Sequence, residues 1–486
     1  MNFTIDMGDI LLISPMIALF LASLVPLTIK VLKGNAEQAP VATLTQALLG
    51  IIAAAGLLVS FGGGGNTAFN GVLVFDGITL TTGLIALAAA AGSLILMFEN
   101  PATRGVQFSE LVFLTLSSVL GMLILISALD LLMIFIGLEM MSLSLYIMIG
   151  MSHEQRLSKE SAFKYFVLGS LASAIFLFGI SFIFGSSGQT NILQLLDTTV
   201  QLVQTNRLFL FGLVLVVVGF CFKVSVAPFH AWTPDVYQGA PTPHTAFMAT
   251  AVKVVSFAAF LRIIAMRPLV ASESLFDILQ WLAVITMLVG NTAAILQNNL
   301  KRMLAYSSIS HSGYLLVGLL TAGISDNGSF AASSVIFYLF AYSLMTIGAF
   351  ALVSMMEKTE DHTMEVDDLA GFAKKRPVLA LCFAIFMLSF AGMPPSIGFF
   401  SKFYLFNAAI GEGLIWLAVW GVLNSVISVY YYLRPVVVMY MKEGDADVSH
   451  AGHFATAITI IVTAALTLLL GVVSGPLLAW FESSLI

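Results

Sequence analysis

Long apolar runs, parted by short polar stretches, follow one another along almost the whole chain. A helix crossing ~30 Å of hydrocarbon needs about 20 apolar residues. Cutting at charges, Gly/Pro clusters and polar runs predicts about fourteen such helices, near residues 10–31, 41–60, 77–98, 108–127, 130–150, 161–184, 208–229, 243–261, 275–297, 303–323, 331–356, 378–406, 413–440 and 454–481. The seventh and twelfth spans carry Gly or Pro inside the apolar run, so each is expected to break. Spans 4–8 and 9–13 then read as two five-helix units with the broken span at the same place in each. An odd number of helices per unit starts the second unit on the opposite side of the membrane, which makes the repeats inverted. The division expected is an N-terminal three-helix segment over 1–107, a first repeat over 108–270, a second over 271–445, and a C-terminal helix over 446–486.

The basic residues agree with this count. Of the 20 Lys and Arg, thirteen lie in or beside loops that follow odd-numbered spans, and only Arg207, Arg262 and Arg267 beside loops that follow even-numbered ones; the other four lie within spans. Lys and Arg collect on the cytoplasmic side, so both termini are expected to face away from the cytoplasm. The first span has Asp6 and Asp9 before it rather than a basic region, and reads as a retained membrane helix rather than a cleavable signal. The largest polar segment, 357–376, reads as a solvated cytoplasmic loop with room for a short surface helix, and the Gly-rich stretch 61–65 as a flexible linker.

Composition settles the class. The chain is 59% hydrophobic and 9% charged, with a mean hydropathy of +1.00, whereas soluble domains are nearer ~25% charged. This is an all-α integral membrane protein, and nothing in it suggests a nucleic-acid partner. Cys221 and Cys382 stand alone in apolar runs, too few for an iron–sulfur cluster and without metal-site spacing.

Against that background, isolated charges stand out. Lys223 is the only charge between Arg207 and Asp235, Lys253 between Asp235 and Arg262, and Lys402 between Arg376 and Glu412. An ammonium at mid-bilayer depth costs about 2.5–3.5 kcal/mol on insertion scales. Packing alone would have used Leu. Lys223 precedes Pro228, and Lys402 follows Gly392-Met393-Pro394-Pro395, so each lies beside a break whose freed backbone groups need water or protein partners. Lys253 is mid-span among small residues. Snorkelling to the interface or a fixed ion pair are the plain alternatives for these lysines; a charge or proton path is the sharper one. Glu139, the lone charge between Asp130 and Glu154, could ionise opposite a buried lysine and act with Lys223 as a proton gate. Glu160 and Lys164, spaced i, i+4, read either as a helix-end pair or as a site of proton uptake. His230 lies two residues beyond Pro228. His311, among hydroxyls in AYSSISHSGY, reads as a core histidine or a relay group, and His244, near a helix start, as interfacial. A pump needs an energy source, and the chain shows no nucleotide site, metal cage or nucleophile constellation.

At these residues a resemblance emerges. The stretches GLEMMSLSLY, FKVSVAPFHAWTPDVYQGAPTP, TAVKVVSFAAFLRI, LKRMLAYSSISHSGY and AGMPPSIGFFSKFYLF, in order over about residues 130–435, resemble the antiporter-like membrane subunits of respiratory NADH:quinone oxidoreductase, complex I. The WTPDVYQGAP form and a lysine at position 402 are most like the subunit N branch. The resemblance implies fourteen helices, inverted repeats, and a hydrated mid-membrane row: Glu139 as fifth-helix carboxylate, Lys223, Lys253 and Lys402 as the seventh-, eighth- and twelfth-helix lysines, and His230 and His311 as polar relay positions. It implies that this chain has no cofactor of its own. NADH, FMN, iron–sulfur clusters and quinone would be bound by partner subunits, whose redox chemistry drives proton translocation across a bacterial plasma (inner) membrane. Other membrane-arm subunits, further antiporter-like ones among them, would be its neighbours in the lipid bilayer. The rival readings are a subunit of a multi-subunit cation/proton antiporter or membrane-bound hydrogenase, a structural spacer, and a stand-alone solute carrier.

Overall fold

Every predicted apolar run is helical in the structure, a computed structural model that describes residues 6–34, 39–104, 107–152, 156–325, 328–357, 364–446 and 454–485. The N-terminal segment gives α1 (Ser14–Leu32), α2 (Pro40–Phe61) and α3 (Gly77–Glu99). Next come α4 (Phe108–Ser127), α5 (Leu131–Gly150), α6 (Arg156–Ser187) and α7 (Arg207–Lys223), which stops at the lysine. A short α8 (Trp232–Gly239) leads into α9 (Thr242–Ile264), which contains a π-helical turn at Met248–Val252. The second unit runs α10 (Glu273–Ile295), α11 (Leu300–Ile324), α12 (Ser329–Met356), the broken pair α13 (Pro377–Ala391) and α14 (Ile397–Gly411), and α15 (Ile415–Met441). The chain closes with α16 (Phe454–Val472) and α17 (Ser474–Leu485). Among the described residues, twelve helices are long and apolar enough to cross a membrane on their own. The two predicted broken spans are the shorter α7 and the α13–α14 pair.

Burial sorts these helices. The apolar window of α9 is wholly buried, that of α11 94% and of α12 89%, whereas α1, α2, α6, α15 and α16 bury a third or less. The first group forms the centre of the bundle and the second its outer wall. Without a hydrophobic drive between helices in lipid, contact depends on close packing of small residues. On α6 and α7, Gly179 and Gly212 lie so close that a Cβ on either would come within 2.7 Å of the other's carbonyl oxygen.

Three expectations change. The stretch 61–65 is not a loose linker: the N–H groups of Gly63 and Gly65 both donate to the Phe75 carbonyl, 3.0 Å each, beside an antiparallel hairpin of Asn66–Ala68 with Leu73–Phe75. Its glycines are there because both adopt positive φ, +88° and +69°, which side chains disfavour. The region between the sixth and seventh spans holds a further helix, Ile192–Thr205, capped by Asn191 and bent 113° from α7. The segment 357–376 is described only in part, 358–363 lying outside the described residues. The remainder is docked on the bundle through Val366, Leu369 and Phe372, with Leu300 N–H donating to Met364 carbonyl at 2.9 Å.

Candidate functional site: a row of lysines and aromatic rings

Each lysine's place follows from how its helix is interrupted. At the first break α7 ends at Lys223, and Ser225 takes a left-handed conformation, φ +62°. Several of the backbone groups set free there find protein partners. Phe222 carbonyl accepts from Trp232 Nε1 (3.0 Å), Val226 N–H donates to Cys221 carbonyl (2.8 Å), and Ala227 N–H to Thr286 Oγ1 (3.0 Å). At the second break α13 ends at Ala391, Gly392 turns at φ +84°, and Met393 N–H reaches back to Leu388 carbonyl (3.0 Å). Here Lys402 itself takes up a freed carbonyl, that of Phe390, at 2.8 Å.

The three ammonium groups share one kind of environment. Lys223 Nζ donates to Ser142 Oγ (2.8 Å) and Tyr165 OH (3.2 Å). Lys253 Nζ donates to the carbonyl and Oγ of Ser308, 2.6 Å each, and Lys402 Nζ also to Ser425 Oγ (2.8 Å). Each faces a tyrosine ring: Tyr165 at 5.5 Å from Lys223, Tyr342 at 4.8 Å from Lys253, Tyr314 at 5.2 Å from Lys402, a geometry that attracts a cation. Among the described residues, no carboxylate comes within 4.0 Å of any of the three. Lys253 and Lys402 are buried, at 4% and 6% exposure, and Lys223 partly so.

His311 joins the second and third lysines. Its ring lies 4.9 Å from Tyr342, the ring over Lys253, and 5.7 Å from Tyr314, the ring over Lys402. One tyrosine thus separates it from each lysine. Its nitrogens are hydrogen-bonded to Tyr338 OH (2.6 Å) and Tyr432 OH (3.0 Å), and Tyr432 continues to Ser307. Tyr432→Phe would leave a buried ring nitrogen and a hydroxyl without this partner, so a loss of about 1–3 kcal/mol is expected in thermal unfolding. An unchanged melting temperature would mean that the bridge holds nothing.

The remaining expected residues are arranged differently. Glu139 accepts from Ser173 Oγ and does not form an ion pair with Lys223. A cleft of about 20 Å³, lined by Lys223, Ser142 and Ser173, lies at that place, room for about one water. Glu160 and Lys164 do pair, at 2.9 Å, but on the surface, where Lys164 also meets Asp235 (2.8 Å) and Asp235 meets Arg302 (2.7 Å). Burial works against ionisation of Asp235, yet the two cations hold its carboxyl below the usual carboxylate range. His230 is half-buried with Nδ1 unpartnered. His244, expected at the interface, is instead fully buried, because the start of α9 lies inside the bundle. An apolar cleft of about 410 Å³ ends on Lys402 between Phe399, Phe403 and Val426. Among the described residues no three His, Cys, Asp or Glu side chains gather as a metal site.

The sequence reading missed the tyrosines and serines that hold the row. Tyr314, Tyr338, Tyr342 and Tyr432 lie in apolar helices and look like packing residues until their hydroxyls are placed.

Comparison with known proteins places the chain in a family. The family described as NADH:quinone oxidoreductase/Mrp antiporter, transmembrane, matches residues 128–428, the stretch that holds the three lysines and His311. Fold and row together define a multi-pass membrane protein of the antiporter-like class. The chain is 68% identical over 486 residues, the full length of both chains, to NADH-quinone oxidoreductase subunit N of Bdellovibrio bacteriovorus. It is 40% identical to that of Trichlorobacter lovleyi over 90% of this chain and 89% of the relative. The chain therefore belongs to the subunit N family of NADH-quinone oxidoreductases. A chain of respiratory complex I from Thermus thermophilus superposes with a TM-score of 0.81 at 32% identity, covering 96% of this chain and 98% of that one. A chain of the Mrp complex from Dietzia, at 20% identity and a TM-score of 0.84 over 99% and 97%, shares the fold alone. Full-length identity to subunit N thus decides against the separate antiporter and hydrogenase readings.

Proposed function

We propose that this chain conducts protons across the bacterial plasma membrane as one channel of a redox-driven NADH-quinone oxidoreductase. Protons are taken up from the cytoplasm near Lys223, pass by way of Lys253 and His311, and leave through Lys402. Glu139, next to the cleft at Lys223, responds to neighbouring subunits and gates uptake. The two units are inverted repeats within a fourteen-helix topology, with both termini on the non-cytoplasmic side. Other membrane-arm subunits, further antiporter-like ones among them, are the partners, and NADH, FMN, iron–sulfur clusters and quinone are bound by subunits other than this one.

One observation carries the reading: ammonium groups deep in an apolar bundle, at two helix breaks and a π turn, are held only by hydroxyls, carbonyls and ring faces. A structural ion pair would place a carboxylate on each. Neutral acceptors let the proton leave without stranding an opposite charge in lipid, where an unpaired ion is expensive. Lys402→Met in the assembled complex, reconstituted in proteoliposomes, is expected to lower the protons moved per NADH oxidised. An unaltered ratio would remove the proposed outlet.

A further inference from the structure

At the cytoplasmic head of α9 a second buried polar cluster lies apart from the row. Glu357, at the end of α12, accepts from the Thr242 N–H with both oxygens (3.2 and 3.0 Å), from Asn100 Nδ2 (2.8 Å) and from Lys301 Nζ (3.1 Å). Lys301 also donates to the Ala240 carbonyl at 2.6 Å. The pair is nearly inaccessible, at 8% and 12% exposure. Beside these contacts, at the same helix head, three polar atoms have no protein partner: Thr242 Oγ1 and both ring nitrogens of His244, residues with 0% exposure. Buried polar atoms are nearly always hydrogen-bonded, and each orphan costs about 1–3 kcal/mol. Three within three residues give water polar groups to bind.

The seam below leads to Lys253. On α11, Lys301 and Ser308 are seven residues apart, on one face, ~10 Å along the axis. Lys301 reaches Ala240, two residues before α9 begins, and Ser308 holds Lys253; between these points α9 packs along α12, whose Glu357 holds its head and whose Tyr342 faces Lys253. On α9, His244 and Lys253 are nine residues apart. In a regular helix at about 100° per residue they would point in opposite directions. The π turn at Met248–Val252 lies between them, and its i→i+5 bonding absorbs one extra residue, reducing the difference to about a quarter turn. The π turn therefore brings the two side chains toward the same seam.

We propose that His244, with the Lys301–Glu357 pair, forms a hydrated cytoplasmic intake that delivers protons to Lys253 independently of Lys223. The inference rests on the proton-conduction reading above. Lys301 and Glu357, the charged pair at this helix head, carry no net charge together, so a proton arriving at His244 meets no fixed excess of either sign from them.

The test uses the intact complex in proteoliposomes, with assembly checked by co-purification of the redox subunits. Lys223→Met alone is expected to retain part of this subunit's share of the protons moved per NADH, the share that Lys253→Met removes, and adding His244→Leu to lower that remaining share at least ~10-fold, the scale of losing a positioned proton carrier. His244→Asn, which still binds water, is expected to keep most of it. A density map of the holo-complex should show water within hydrogen-bonding distance of the His244 nitrogens. The proposal is overturned if Lys223→Met by itself lowers the ratio as far as Lys253→Met does, if His244→Leu changes nothing further, or if that map shows the site dry. Failure of the underlying reading looks different: Lys253→Met would then pump at the parental rate.

Discussion

Lys253→Met is expected to stop proton movement through this subunit while leaving it folded and assembled. The substitution keeps an unbranched side chain of similar length and removes only the ammonium. Two charge-assisted hydrogen bonds to Ser308 are lost, worth about 1.5–3 kcal/mol each at most. The insertion penalty of about 2.5–3.5 kcal/mol for a buried ammonium disappears at the same time. Set against each other these leave a loss of about 0–3 kcal/mol, and a check of assembly separates a functional loss from unfolding. Protons translocated per NADH, measured by dye quenching in proteoliposomes, is the decisive readout. A parental ratio from a fully assembled variant would take Lys253 out of the path.

Asp76→Ala should give the largest loss of stability. Arg262, at 6% exposure, binds Asp76 through both nitrogens of its fork (2.8 and 2.7 Å), Thr79 Oγ1 (2.8 Å) and the Ile126 carbonyl (2.7 Å). Asp76 also caps α3 by accepting from the Thr79 N–H at 2.9 Å. Removing the carboxylate strands a buried guanidinium, which costs about 3–5 kcal/mol; the low end applies because Asp76 is 28% exposed. Burial alone would raise the Asp76 carboxyl, but Arg262 and Thr79 together hold it below its ordinary value of 3.8. The pair's contribution is therefore complete above that ordinary value and is lost as pH falls through the lower folded-state value. Thermal unfolding followed against pH should show the parent losing stability in acid more steeply than Asp76→Ala. Parallel curves would show that this carboxylate is not what titrates.

The architecture was legible because lipid imposes a simple rule: twenty apolar residues or a broken span. The breaks at Pro228 and Gly392 were legible for the same reason, since Gly, Pro and a lone lysine have no other use in such a run. The Glu139–Lys223 pairing was not. Sequence gives two lone opposite charges but not helix rotation, and α5 turns Glu139 toward Ser173 on α6. His244 was misplaced because closeness to a helix start says nothing about whether that start reaches the membrane surface. Glu357 was counted with its solvated loop, although it is the residue that ties α3, α9, α11 and α12 together. The aromatic partners were hidden by composition: among 12 Tyr and 38 Phe, nothing in the pattern shows which hydroxyls are used.

The neutral cradles around Lys223, Lys253 and Lys402 have a consequence for how the stations influence one another. A serine hydroxyl can turn and donate to an amine as readily as it accepts from an ammonium, so occupied and vacated stations can keep the same outline. Little would then be passed on through shape. What changes is the electric field: a filled station, with no carboxylate in direct contact among the described residues, disfavours filling of the next across a medium that screens weakly. Carriers would therefore be spaced along the file by mutual repulsion, and a push at one end could be felt at the other with hardly an atom displaced.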